Sequence, residues 1–145
     1  MEKDIKMPIL QVASGQFTKQ HKGLSLAVLS TRELTIHSIT STKAFSQIQM
    51  LQQHKLERNA FNFVQGLFGN QGSNQQIIIQ SVDGALIVID DEFILFKIQL
   101  ADYFIPGPFN YSSNSNLVIL ANSKLQVECY SYESLKIFTN NDIVK

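Results

Sequence analysis

The chain has 145 residues, enough for one domain, with 12 Lys+Arg against 12 Asp+Glu and a charged fraction of only 17%. Neutrality excludes the basic footprint of a nucleic-acid binder, and a 44% hydrophobic content excludes a wholly disordered chain. A single cysteine, Cys129, excludes an internal disulfide and a cysteine-rich zinc site.

Polarity comes instead from 14 Gln, 14 Ser and 10 Asn. The start, Met1-Glu-Lys-Asp-Ile-Lys-Met-Pro8, is charged where a secretion signal needs an apolar core. Uninterrupted apolar runs reach five residues, as in Ala85 to Ile89, far short of the ~20 that span a bilayer. These features predict an intracellular chain.

Short strand-like runs separated by turn residues follow from the N-terminus onward. Ile9 to Phe17 begins after Pro8 and carries Gly15; Leu24–Leu29 and Leu34–Ile39 flank a polar Ser-Thr-Arg-Glu break. Between Ser41 and Gln65, Phe45, Ile48 and Leu51 are spaced as on a helix. Ile48 and Met50 also alternate with Gln47 and Gln49, and this alternation favours a strand over Ser46–Leu56. Phe61–Phe68 precedes the runs Ile77–Val82 and Ala85–Ile89, which flank Asp83-Gly84. Such a pair between β-branched runs predicts a hairpin whose two turn residues both have positive φ. Phe93–Leu100 follows Asp90-Asp91-Glu92. Phe109–Ser113, Leu117–Ala121 and Leu125–Tyr132 complete the series, the last two around Asn122-Ser123-Lys124.

Three hairpins repeat one pattern: residues 26–39, 78–91 and 118–131 each read as an apolar strand, a polar turn and a leucine opening a second strand. The leucines are Leu34, Leu86 and Leu125. With one flanking strand before each hairpin and one after the first two, the pattern predicts an all-β chain. Its expected form is a partial β-propeller of two to three four-stranded antiparallel blades. The blade-like units cover about 8–57, 60–101 and 106–145 of a single partial propeller domain. Continuously apolar middle strands fit sheets stacked on both faces.

Chemistry finds little to stand on. Gly66-Leu-Phe-Gly69-Asn-Gln-Gly72 lacks the Lys-Ser/Thr ending and the helix of a phosphate-binding loop, so its glycines read as turn or bulge residues. Asp90-Asp91-Glu92 lacks the spaced oxygen ligands of a calcium loop and reads as a solvated turn. His21, His37 and His54 are scattered; His37 is expected on the strand face opposite Ile36. Cys129 alternates with Val127 and is expected as a small buried hydrophobe. No Gly-x-Ser-x-Gly elbow occurs. No catalytic residue, cofactor, metal or small-molecule substrate is therefore expected.

Several ordered segments carry a family resemblance. They are Pro8-Ile-Leu-Gln-Val12, Gly15-Gln-Phe17 and Leu26-Ala-Val-Leu-Ser-Thr-Arg-Glu-Leu34, then His54-Lys-Leu-Glu-Arg58, Ala60-Phe-Asn62 and Gly66-Leu-Phe-Gly69. Ile79-Gln-Ser-Val-Asp-Gly-Ala-Leu86, Ile105-Pro-Gly-Pro-Phe-Asn-Tyr-Ser-Ser113 and Gln126-Val-Glu-Cys-Tyr-Ser-Tyr132 are the most telling. Together they resemble the parathyroid-hormone-responsive B1 family, subunits of the ciliary trafficking complex called the BBSome. The resemblance implies an N-terminal propeller acting as a non-enzymatic scaffold, with other BBSome subunits as partners and only indirect membrane association. It implies a place at the cilium, its basal body and the cytoplasm. Matched positions read as structural: Asp83-Gly84 as a hairpin turn, Pro106-Gly107-Pro108 as a stiff crossing between blades, Gly66 and Gly69 as sites of close approach or unusual φ. A seven-bladed ring would need roughly 300 residues, so an open stack with two bare sheet faces, prone to association, is expected. Two rival readings are a propeller-like interaction adaptor unrelated to cilia and an enzyme domain whose site another chain completes.

Overall fold

Residues 2–68, 74–99 and 104–137 are described by a computed structural model. Among the described residues eleven strands build three antiparallel sheets that do not close into a ring. The first sheet holds β1 (Ile9–Gly15), β2 (Ser25–Ser30), β3 (Glu33–Ser41) and β4 (Ser46–Lys55) in that order. The second repeats the arrangement with β5 (Ala60–Gly66), β6 (Gln76–Ser81), β7 (Ala85–Asp90) and β8 (Phe93–Gln99). The third has β9 (Phe104–Ser112), β10 (Leu117–Asn122) and β11 (Val127–Ser131). This is mostly β, as the strand pattern predicts, and consistent with partial propeller blades. The segment with helical spacing is a strand: β4 pairs with β3 along its whole length.

Side-chain alternation explains the stacking. In β6, Ile77 and Ile79 join one core with Leu29, Leu34 and Ile36 of the first sheet. Ile78, between them, joins a second core with Val118 and Leu120 of the third sheet. In β7, Ile87 and Ile89 face the first core while Leu86 and Val88 face the second. Period-two geometry gives a strand two faces, and only a sheet covered on both sides can be apolar at every position. Hence Gln76–Ser81 is buried throughout, whereas β1 alternates.

Each sheet disciplines its central hairpin with the last residue of its second strand. Ser30 Oγ donates to the Glu33 carbonyl at 3.1 Å. Ser81 Oγ accepts from the Ala85 amide at 2.9 Å and donates to the Asp83 carboxylate. Asn122 Oδ1 accepts from the Lys124 and Gln126 amides at 2.9 and 3.0 Å. All three side chains are buried, so the polar groups that shape the turns are shielded from water's competition.

Two expectations need correction. Asp83-Gly84 does form a hairpin, but through the three-residue loop Val82-Asp83-Gly84, with the Gly84 amide bonded to the Ser81 carbonyl at 3.3 Å. Only Gly84 has positive φ, at 88°, the arrangement of a type I turn followed by a left-handed residue. Leu125 does not open a strand: β11 starts at Val127, and Leu125 sits in the turn at φ 66° with 85% of its surface exposed. After β11, where the strand pattern offers no further strand, the chain enters a helix over 132–137 that buries Tyr132 and Leu135 in the second core.

Candidate interaction faces

Two kinds of surface could meet a partner: a charged cleft at one end of the sheets and the open outer faces of the first and third sheets. The cleft, about 440 Å³, is lined by Arg32, Glu57, Arg58, Asn59, Val82 and Asp83. Its floor is the crossing from β4 to β5, held by backbone bonds from Leu56 to the Arg32 carbonyl and from Ala60 to the Thr31 carbonyl, both 2.8 Å. Arg32 Nε adds a 3.2 Å bond to the Leu56 carbonyl. Arg58 is ion-paired with Asp83, and Lys97 with Glu57 at 2.9 Å.

The pairing shows in the acidities. The Ser81 hydroxyl foremost, then Arg58, holds the Asp83 carboxyl below its ordinary value. The hydrogen bond from Lys97, with its charge, does the same for Glu57. Both carboxylates stay ionised and already have cations, which suits recognition by shape and charge and leaves neither poised to move a proton. Among the described residues no group of three or more His, Cys, Asp or Glu is arranged to hold a metal ion.

The outer face of the first sheet is apolar. Lys3, Ile5, Val12, Val28, His37 and Ile48 border a groove of about 150 Å³ there. His37 lies opposite Ile36, as the alternation predicts, yet is fully buried, with Nε2 2.9 Å from Thr35 Oγ1 and Nδ1 without a partner among the described residues. Burial, with the nearby Lys3 charge, lowers its pKa. His54 points the other way, into the gap towards the second sheet; burial lowers its pKa against the opposing pull of Asp91. On the third sheet, Pro108, Phe109, Ile119, Ala121 and Val127 border an open depression of about 440 Å³. Cys129 is exposed there, contrary to the expectation of burial. Nothing packs over that face among the described residues, so strand alternation turns both Val127 and Cys129 outward.

The glycines and prolines singled out from sequence sit as follows. A Cβ on Gly66 would come within 2.6 Å of the Tyr111 ring, so β5 and β9 meet closely there. Gly69 lies outside the described residues. Pro106, Gly107 and Pro108 are not a crossing; they lie inside β9, where Phe104 pairs with Asn122 and Phe109 with Leu120 across an irregular register. Gly107, at φ 127°, supplies the conformation that this bulge requires.

Sequence reading missed the side-chain amides that join the inner strands. Gln11 of β1 binds both main-chain groups of Phe63 in β5, Gln65 Nε2 donates to the Ser14 carbonyl at 2.8 Å, and Asn62 Nδ2 donates to the Gly107 carbonyl at 2.9 Å. The only prior signal was composition, the excess of Gln and Asn over charge.

Residues 1–144 match the family described as PTHB1 N-terminal. The chain is 35% identical over 148 aligned residues to Protein PTHB1 of Homo sapiens, which covers 98% of this chain and 17% of that protein. Protein PTHB1 of Xenopus laevis is 32% identical over the same shares, and the pthb1 homolog of Caenorhabditis elegans 26% identical over 83% of the chain and 16% of the homolog. The chain thus spans about a sixth of the length of these relatives. No enzymatic family is indicated, and among the described residues no helix is long and apolar enough to cross a membrane. The chain belongs to the PTHB1 family and corresponds to its N-terminal region.

Proposed function

We propose that this chain is a non-enzymatic scaffold segment of a BBSome subunit, contributing propeller blades to protein–protein contact in ciliary membrane-protein trafficking and cilium assembly. The observation that carries the reading is family membership over nearly the whole chain. The geometry supports it with bare outer sheet faces and fully paired carboxylates at the cleft. In this reading the three sheets are blade-like units of one domain, about 8–57, 60–101 and 106–145. Its partners are the other BBSome subunits, its membrane association is indirect, and its place is the cilium, the basal body and the cytoplasm. Asp83, Gly84, Gly66, Gly69, Pro106, Gly107 and Pro108 serve the fold and not chemistry.

Affinity purification of the tagged protein from ciliated cells tests this directly. Recovery of other BBSome subunits is the expected result. Recovery of none, with the protein absent from basal-body fractions, overturns the ciliary reading in favour of a general propeller-like adaptor.

A further inference from the structure

The chain has two arginines and ten lysines, and both arginines, Arg32 and Arg58, line the same charged cleft. Arginine is the cation suited to a carboxylate, because its planar fork of N–H donors can make two parallel bonds at once. The two stand in different states. Arg58 is ion-paired with Asp83, and Glu57, the other carboxylate of the cleft, takes Lys97. Arg32 has no carboxylate among the described residues. Its Nε donates to the Leu56 carbonyl at 3.2 Å and its Nη1 to Asn59 Oδ1 at 3.5 Å, both neutral acceptors. Its Nη2 has no partner among the described residues.

We propose that this cleft docks an acidic segment of a partner protein, which sets an Asp or Glu carboxylate on Arg32 and an aliphatic neighbour against Val82. Charge selects the ligand. Arg58 and Asp83 answer each other, as do Lys97 and Glu57, so Arg32 leaves the cleft with one positive charge. A single carboxylate balances it. A phosphate group, at about −1.5 to −2, brings more negative charge than Arg32 can answer and sets the surplus against Asp83 and Glu57. The space of about 440 Å³ exceeds one carboxylate and lies within the roughly 300–1,000 Å³ of ligand clefts.

The backbone holds Arg32 ready. Its turn is clamped to the β4–β5 crossing by the Leu56 and Ala60 amides, each 2.8 Å from its carbonyl partner, and the same crossing accepts the Val82 amide at the Asn59 carbonyl, 2.9 Å away. Three chain segments are thereby fixed to one another, and the guanidinium is tethered at two of its nitrogens. A ligand meeting such a group has little of the protein left to order. Val82, 47% exposed, gives the cleft an apolar wall for the residue beside the acid. The inference does not rest on the ciliary reading, and its test uses no ciliary protein.

The test titrates the full chain, by amide chemical shifts at low ionic strength, with the blocked peptide acetyl-Ser-Gly-Glu-Leu-Gly-Ser-amide. Matched peptides carry Gln, Lys or phosphoserine in place of Glu. The Glu peptide should move Arg32, Asn59 and Val82 and bind about fivefold tighter than the Gln peptide, as one exposed charge pair allows. Arg32→Glu should invert the order, making the Lys peptide the tighter. Arg32→Gln, which keeps a donor for the Leu56 carbonyl, should abolish the difference between Glu and Gln with an unchanged far-ultraviolet spectrum. Lys22→Gln, which removes the same charge from an exposed loop, should change nothing. Equal binding of the Glu and Gln peptides overturns the proposal. So do shifts confined to other surfaces, an order unmoved by either Arg32 variant, an equal loss in Lys22→Gln, and tighter binding of the phosphoserine peptide.

Discussion

The side chain of Gln11 is hydrogen-bonded to both main-chain groups of Phe63: its Nε2 donates to the Phe63 carbonyl at 2.9 Å and its Oε1 accepts from the Phe63 amide at 2.8 Å. A single primary amide thus behaves as a short length of backbone, pairing the first strand of one sheet with the first strand of the next. Removing it leaves a part-buried donor and acceptor without partners. Gln11→Ala should therefore lower stability by about 1–3 kcal/mol, read as a lower urea midpoint with an unchanged slope.

Ser81 and Arg58 both bind Asp83, but they differ in burial and should differ in worth. Ser81 also satisfies the Ala85 amide inside the hairpin, so Ser81→Ala should cost about 1–3 kcal/mol. The side chains of Arg58 and Asp83 are 43% and 44% exposed, and Arg58→Ala should cost ~1 kcal/mol or less, vanishing at high salt. Urea unfolding at low and high ionic strength separates the two effects.

Buried histidines set a pH limit. In the unfolded chain His37 and His54 titrate near 6.5, whereas in the fold burial holds both below that value. The unfolded state then binds more protons below 6.5, so their contribution is complete above that pH and is lost as pH falls. The depressed carboxyls, Glu57 and Asp83, act only below their ordinary 4.5 and 3.8. The decline between about pH 7 and 5 therefore belongs to the histidines. His54→Leu should flatten it, measured as the urea midpoint against pH.

Two positions in the third sheet's neighbourhood should respond in opposite senses. Gly66→Ala drives a Cβ to 2.6 Å from the Tyr111 ring and should cost about 1–3 kcal/mol, partly recovered in Gly66→Ala/Tyr111→Leu. Leu125, left-handed and exposed, pays a steric penalty without burying its side chain. Leu125→Asn should raise stability by up to ~1 kcal/mol. A fall in melting temperature for this variant would contradict the assignment of residue 125 to the turn.

Strand order, the three hairpins and the face of His37 could be read from sequence because each depends on neighbours close along the chain. Alternating or continuous apolar runs record which faces are covered, so Gln76–Ser81 announced its own double burial. Other features depend on what stands across a gap. Val127 and Cys129 carry the same alternating pattern as a half-buried strand, and only the bare outer face of the third sheet decides their exposure. Pro106-Gly107-Pro108 looks like a linker until β10 is seen to pair on either side of it. Gln11 has no local mark distinguishing it from a solvated glutamine, because its partner, Phe63, lies 52 residues away. At the candidate faces the charged cleft was similarly hidden: Arg32, Arg58 and Asp83 come from three separate turns.

The doubly covered middle sheet has a consequence for assembly of the fold itself. Ile78, Leu86, Val88 and Ile98 are dry only while the third sheet stands against them, and Ile77, Ile79, Ile87 and Ile89 only while the first does. Stability therefore passes along the stack by nearest-neighbour contact. Losing either outer sheet strips one side of the centre as well, so damage at an end is felt first in the middle.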